Sequence, residues 1–181
     1  MEYDKANIVV RNSNGKQSVL TLQFKKFSGD AKVGDFVSIC GNLRSYSRKI
    51  SEQKNKVNVY VFTYFDQPDS EDDEIENQVL IDGRICKIEP LRNLANGKCN
   101  IHFILANNIV QGSNKLNSYI PCIAWGKCAK EIAKLSKNDN IAIRGELRSR
   151  EYKKPTDDGK FEIRVAHELV VQEFEADGEE D

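Results

Sequence analysis

The sequence predicts an all-β protein with one short helix, built as two tandem modules of which the N-terminal one is abbreviated. Three observations carry that reading: an internal repeat, a series of strand-period segments interrupted by one helical stretch, and a segregation of charge along the chain. The repeat is the strongest. Residues 33–45 read VGDFVSICGNLRS and residues 137–149 read KNDNIAIRGELRS, a constant offset of 104. Asp35/Asp139, Ile39/Ile143, Gly41/Gly145, Leu43/Leu147, Arg44/Arg148 and Ser45/Ser149 are identical pairs. Read without a gap, the register continues through a ten-residue loop to Lys49/Lys153, Lys56/Lys160 and Val61/Val165. Self-similarity at a fixed offset marks a duplicated structural unit.

A chain of 181 residues suits one ordinary domain or two small ones, and the repeat favours two. The net charge of −1 conceals the layout. Residues 66–76 hold seven acids and no base, and residues 173–181 hold six acids and no base. Without these 13 of the 28 acids, 15 remain against 27 Lys and Arg, a net of +12. The expected organisation is therefore a basic module over 1–65, an acidic linker over 66–76, a second basic module over 77–174 and an acidic tail over 175–181. Acidic runs serve as solvated spacers. A basic body with segregated acids is also the layout of a polyanion binder.

Each element follows from periodicity. In the first module, residues 7–11 and 19–27 form a hairpin through the turn NSNGK at 12–16. Only 32 residues precede Val33, too few for a first strand and a helix as well, so an incomplete barrel with an open edge is expected. In the second module, residues 78–86 alternate, with Val79, Ile81, Gly83 and Ile85 on one face. Residues 99–106 form the next strand, set off by the turn ANGK at 95–98. A third strand spans 119–125. Residues 126–135 then place Ala129, Ile132, Ala133 and Leu135 at helical spacing. A fourth strand, 141–149, points Ile141, Ile143 and Leu147 inward and Arg144, Glu146 and Arg148 outward, and a fifth covers 161–173. Three strands, a helix and two strands is the order of a small Greek-key barrel of the OB type.

Five blocks carry a family likeness: NQVLIDGRI at 77–85, EPLR at 89–92, FILAN at 103–107, YIPCIAWGK at 119–127 and GELRSREY at 145–152. In this order the second half resembles the OB domain of bacterial single-stranded DNA-binding proteins. The first half resembles that family only through the repeat. Leu91-Arg92 follows Pro90 one residue short of the family pattern, and the loop after Asn107 lacks an aromatic.

Tyr119 and Trp125 are six apart in one strand and share a face, with Ile120, Cys122 and Ala124 on the other. By composition alone the lone Trp of a small β domain is more often core than platform, and both readings stand. The resemblance implies instead that Tyr119, Trp125 and Tyr152 stack on bases, Tyr152 standing in an exposed polar loop. It further implies that Arg84, Arg92, Lys127, Arg144 and Arg148 neutralise phosphates, with Arg44 and Tyr46 contributed by the first copy. Stacking on π-faces is tolerant of sequence. On the last strand of the first module, Tyr60, Phe62 and Tyr64 alternate onto the face that carries Glu162 and Arg164 in the gapless register. That stripe is either a base platform or an interface. The missing elements leave apolar surface to bury, which favours an interface, and hence a homodimer.

No apolar run approaches the ~20 residues of a membrane helix and no signal-peptide pattern opens the chain, so a soluble cytoplasmic protein is expected. Five cysteines without framework spacing are expected to be reduced thiols. His102 and His167 sit in strands, and neither CNIH at 99–102 nor Cys122 with Cys128 makes a zinc pattern. With no nucleophile elbow and no phosphate loop, the expectation is a non-enzymatic binding protein needing no cofactor or metal. Its expected partners are single-stranded DNA and a protein of DNA metabolism, in replication, repair or mobile-element biology. The alternative is an OB-fold regulator or inhibitor of a nucleic-acid enzyme, carried by a phage or mobile element. Residues 173–181 end without Pro or a terminal Phe, so the tail is expected to compete with DNA rather than to recruit enzymes.

Overall fold

The computed structural model describes residues 3–25, 31–51, 54–70, 77–111, 114–156 and 159–176. Most of the acidic linker (71–76) and of the acidic tail (177–181) lies outside the described residues. The first module is one curled sheet of β1 (Asp4–Arg11), β2 (Gln17–Phe24), β3 (Val37–Ser51) and β4 (Lys54–Pro68), in the order β1-β2-β4-β3. Alternation explains β2: Ser18, Leu20, Leu22 and Phe24 are buried and the residues between them are not. The turn before it closes through the Gly15 N–H on the Asn12 carbonyl, with Gly15 at φ 77°.

The second module comprises β5 (Val79–Ile88), β6 (Arg92–Asn93), β7 (Cys99–Gln111), β8 (Asn114–Trp125), α1 (Gly126–Ile132), β9 (Asn140–Pro155) and β10 (Phe161–Ala176). Its order is β5-β9-β10-β8-β7-β6, and β5 also pairs with β7, which closes a barrel. Helix α1 packs on β7, β8 and β10 through buried Ala129 and Ile132. The predicted tandem OB architecture with a shortened first copy is thus present. In the first module β1, β2, β3 and β4 correspond to β7, β8, β9 and β10, and the counterparts of β5 and α1 are missing among the described residues.

The strands outrun their expected bounds. Strand β4 continues to Pro68 into the acidic stretch, and β10 reaches Ala176. The segments read as loops after Ser45, Asn107 and Ser149 are the ends of long hairpins, because paired backbones keep their hydrogen bonds beyond the barrel wall. Tyr152 consequently sits within β9, half-buried, rather than in an exposed loop.

The gapless register also needs correction. Leu43 pairs with Val61, whereas its repeat mate Leu147 pairs with Leu169, so the offset grows from 104 to 108 across the hairpin. The true counterparts of Tyr60, Phe62 and Tyr64 are therefore Glu168, Val170 and Gln172, not Glu162 and Arg164. The bulges agree with this: each module has one extra residue beside its repeated glycine, Tyr64 opposite Cys40/Gly41 and Gln172 opposite Arg144/Gly145. The glycine itself is required by close approach. A Cβ on Gly41 would lie 2.5 Å from the Phe62 carbonyl oxygen, and one on Gly145 would meet that of Val170. Gly41→Ala should accordingly lower stability by about 1–3 kcal/mol, read as a reduced urea midpoint. An unchanged midpoint would show that the strands part without strain.

The repeated serines join the modules through a local two-fold relation. Ser45 donates its N–H to Ser118 Oγ (3.3 Å) and accepts the Tyr119 N–H on its own Oγ (2.7 Å). Ser149 does the same with Ser18 Oγ (3.0 Å) and the Val19 N–H (2.9 Å). Ser18 and Ser118 are themselves equivalent, four residues before the parallel pairings Leu22↔Val61 and Cys122↔Leu169. Around this clasp, Leu20, Leu43 and Val59 join Ile85, Ile120, Leu147 and Leu169 in one apolar cluster that runs through both modules.

Candidate nucleic-acid interface

Inward-facing Ile120, Cys122 and Ala124 of β8 fill the barrel, so Tyr119 and Trp125 stand on its outer face, each 43% exposed. The registers of the neighbouring strands define two transverse rows on that face. Tyr119 pairs with Ala106 of β7, which pairs with Arg84 of β5. Trp125 pairs with Asn100 of β7, which pairs with Arg92 of β6. Each aromatic therefore faces an arginine across one β7 residue, two strand spacings or ~10 Å away. Arg84 is exposed. The Arg92 guanidinium hydrogen-bonds the Glu89 carboxylate, which Lys87 also contacts at 3.3 Å. Desolvation raises the Glu89 pKa, but the Lys87 hydrogen bond and the charges of Lys87 and Arg92 outweigh it and hold the carboxyl below its ordinary value.

Beside Trp125 opens a cleft of about 610 Å³ lined by Gly97, Lys98, Cys99, Trp125, Gly126, Lys127 and Lys130. The ammonium of Lys127 is almost fully exposed, 3.9 Å from Glu131. Gly126 makes the sharp exit from β8 into α1 at φ 58°, placing Lys127 on the first turn of the helix and Lys130 on its last. Lys98 and Lys130 were missed by sequence reading. Lys130 was legible, standing three residues after Lys127 on one helix face. Lys98 was not, because its approach depends on the β7–β8 register.

The other candidates are dispersed. Arg144 lies on β9 opposite Leu80 and pairs with Glu173 at 3.2 Å. Arg148 is engaged at the module junction, 2.7 Å from Glu146 and 3.1 Å from Ser13 Oγ. Tyr152 is covered by the Arg150 guanidinium, 5.7 Å from its ring centroid. Arg44 is 8% exposed, its guanidinium 3.8 Å over the Phe62 ring. Phe62 is itself buried and edge-on to Tyr3 at 5.2 Å, so within the stripe Tyr60, Phe62 and Tyr64 the central ring faces inside the chain. Tyr60 leans on half-exposed Tyr46 at 6.0 Å, and Tyr64 is 66% exposed. In the first module Val19, Thr21 and Gln23 occupy the outer positions of Tyr119, Pro121 and Ile123, so the aromatic rows exist only in the second.

Among the described residues no group of three or more His, Cys, Asp or Glu side chains could hold a metal ion, and no helix is long and apolar enough to cross a membrane. All five cysteines are free thiols. Cys122 is fully enclosed, and burial pushes its thiol far above the ordinary range, which removes it as a nucleophile.

Residues 76–177 match the family model described as the single-strand binding protein family. No curated protein matches the sequence. Two solved structures of the single-stranded DNA binding protein from Thermus aquaticus are similar over 99% of this chain. A deletion mutant aligns with TM-score 0.69 at 18% identity over 82% of its own length. The wild type aligns with TM-score 0.69 at 16% identity over 81%. At these identities the likeness concerns the fold.

Proposed function

The chain belongs to the single-strand binding protein family, and from that premise we propose that it binds single-stranded DNA and coats strands exposed in replication, repair or mobile-element metabolism. The observation that carries the reading is the pair of aromatic–arginine rows on one face, Tyr119–Ala106–Arg84 and Trp125–Asn100–Arg92. β7 and β8 are the second and third strands of the barrel, the face on which OB folds bind oligonucleotides. Ala106 and Asn100 are small enough to leave each ring open to a base. Arg84 and Arg92, with the lysines of the Trp125 cleft, follow the backbone as an electropositive track. Stacking supplies affinity without base identity.

Titration of the single tryptophan with oligo-dT across a salt series tests this reading. Quenching of Trp125 with submicromolar affinity and a log–log salt slope near −3 to −6 is expected, equivalent to about four to eight phosphate contacts. A flat titration at low salt would remove strand coating.

A further inference from the structure

Among the described residues the abbreviated module has a strand position that no segment fills. In the second module β5 lies between β7 and β9, antiparallel to both, and seals the barrel. The equivalent edges in the first module are Ala6–Val9 of β1, matching Phe103–Ala106, and Val37–Gly41 of β3, matching Ile141–Gly145. Among the described residues β1 pairs only with β2 and β3 only with β4, so both edges lack a strand. Burial records the consequence. Phe103, Leu105, Ile141 and Ile143 are 0–3% exposed, whereas their counterparts Ala6, Ile8, Val37 and Ile39 all remain partly open to solvent.

We propose that this gap is a docking slot for one extended segment of another protein, which completes the first barrel by strand addition. This goes beyond strand coating and does not depend on it. The template for the occupant is β5 itself, whose Val79, Ile81, Gly83 and Ile85 face inward. Gly83 is obligatory there, since a Cβ would lie 2.5 Å from the Ala106 carbonyl oxygen. Val9 holds the place of Ala106 in the first module. The segment therefore carries apolar residues at alternate positions, with a glycine against the Val9 carbonyl, one residue before the position opposite Val9. The outward positions flanking the slot carry Lys5, Asn7, Val9 and Arg11 on β1 and Ser38, Cys40 and Asn42 on β3, with bases and no acid, so its outward residues are acidic. A second copy does not fit the same gap. Its own β5 is built into a barrel wall, and its open edges belong to a sheet that can approach one side of the slot but not enter between both.

The test uses the full chain and a peptide of residues 77–88 carrying Arg84→Glu and Cys86→Ser. Saturating peptide is expected to slow amide exchange at residues 6–9 and 37–41 by about tenfold or more, and the same peptide with Gly83→Val is expected to lose that effect. Absence of protection, or equal protection by the Gly83→Val peptide, overturns the proposal. Protection of both edges in the free chain overturns it as well, naming a second copy if it grows with protein concentration and the chain's own segments if it does not. No nucleic acid enters the measurement, so its failure is separate from a failure of strand binding.

Discussion

Tyr119→Ala combined with Trp125→Ala is expected to weaken oligo-dT binding by about 2–6 kcal/mol, since each stacked base contributes roughly 1–3 kcal/mol. The readout is the anisotropy of a labelled oligonucleotide at fixed salt, because the variant has lost its only tryptophan. Both rings stand on the outer face, and the barrel interior of Ile120, Cys122 and Ala124 is untouched, so the thermal transition should change little. Arg84→Glu with Arg92→Glu is the electrostatic counterpart, flattening the salt slope as two phosphate contacts become repulsions. Arg148 is unsuited to that experiment. Its guanidinium belongs to the junction with Ser13 and Glu146, and a reversed charge there would separate the modules before it tested DNA. Full affinity in the double aromatic variant would remove the rows from the binding face.

The contrast between Arg84 and Arg148 shows what the sequence can and cannot say. Alternation told that both point outward from their strands, and the resemblance offered both as phosphate contacts. What distinguishes them is the neighbour across the sheet. Arg84 has Ala106 and then Tyr119 beside it, while Arg148 meets a loop of the other module from 135 residues away in sequence. Module docking is a long-range fact that no local pattern encodes. The repeat was read correctly through Lys49/Lys153, along the whole outgoing strand, and wrongly on the return strand. Hairpin length is free to vary at the turn between them, and two chance identities, Lys56/Lys160 and Val61/Val165, imitated a register. The shortened first module was legible by counting residues before Val33. Its missing platform was not, because matching Val19 to Tyr119 requires knowing which residues of β2 and β8 face their parallel partners.

Glu146→Ala is expected to cost about 2–3 kcal/mol of stability, below the 3–5 kcal/mol of a fully buried pair because Arg148 keeps some contact with water. The Glu146 carboxylate accepts hydrogen bonds from the Ser13 N–H (2.9 Å), Arg148 Nε (2.8 Å) and Gln172 Nε2 (3.0 Å), with its side chain 6% exposed. Alanine would leave a half-buried guanidinium and a backbone donor without their acceptor. Desolvation raises the Glu146 pKa, but the hydrogen bonds from Arg148 and Ser13 and the Arg148 charge outweigh it, so the folded value lies below the ordinary one. The sign follows: the stabilisation is complete above an unfolded pKa of about 4.3 and is lost as pH falls through the lower folded value. Urea denaturation of the wild type and Glu146→Gln should therefore show a gap at pH 7 that closes as pH falls below about 4. A gap constant from neutral to acid pH would mean that the carboxylate acts by shape alone. The repeat sharpens the test, since Asn42 holds the equivalent place in the first module and its Arg44 lies over the Phe62 ring. The acid sensitivity of the junction is thus confined to one half of an otherwise reciprocal clasp, and Asn42→Ala should leave the pH profile unchanged.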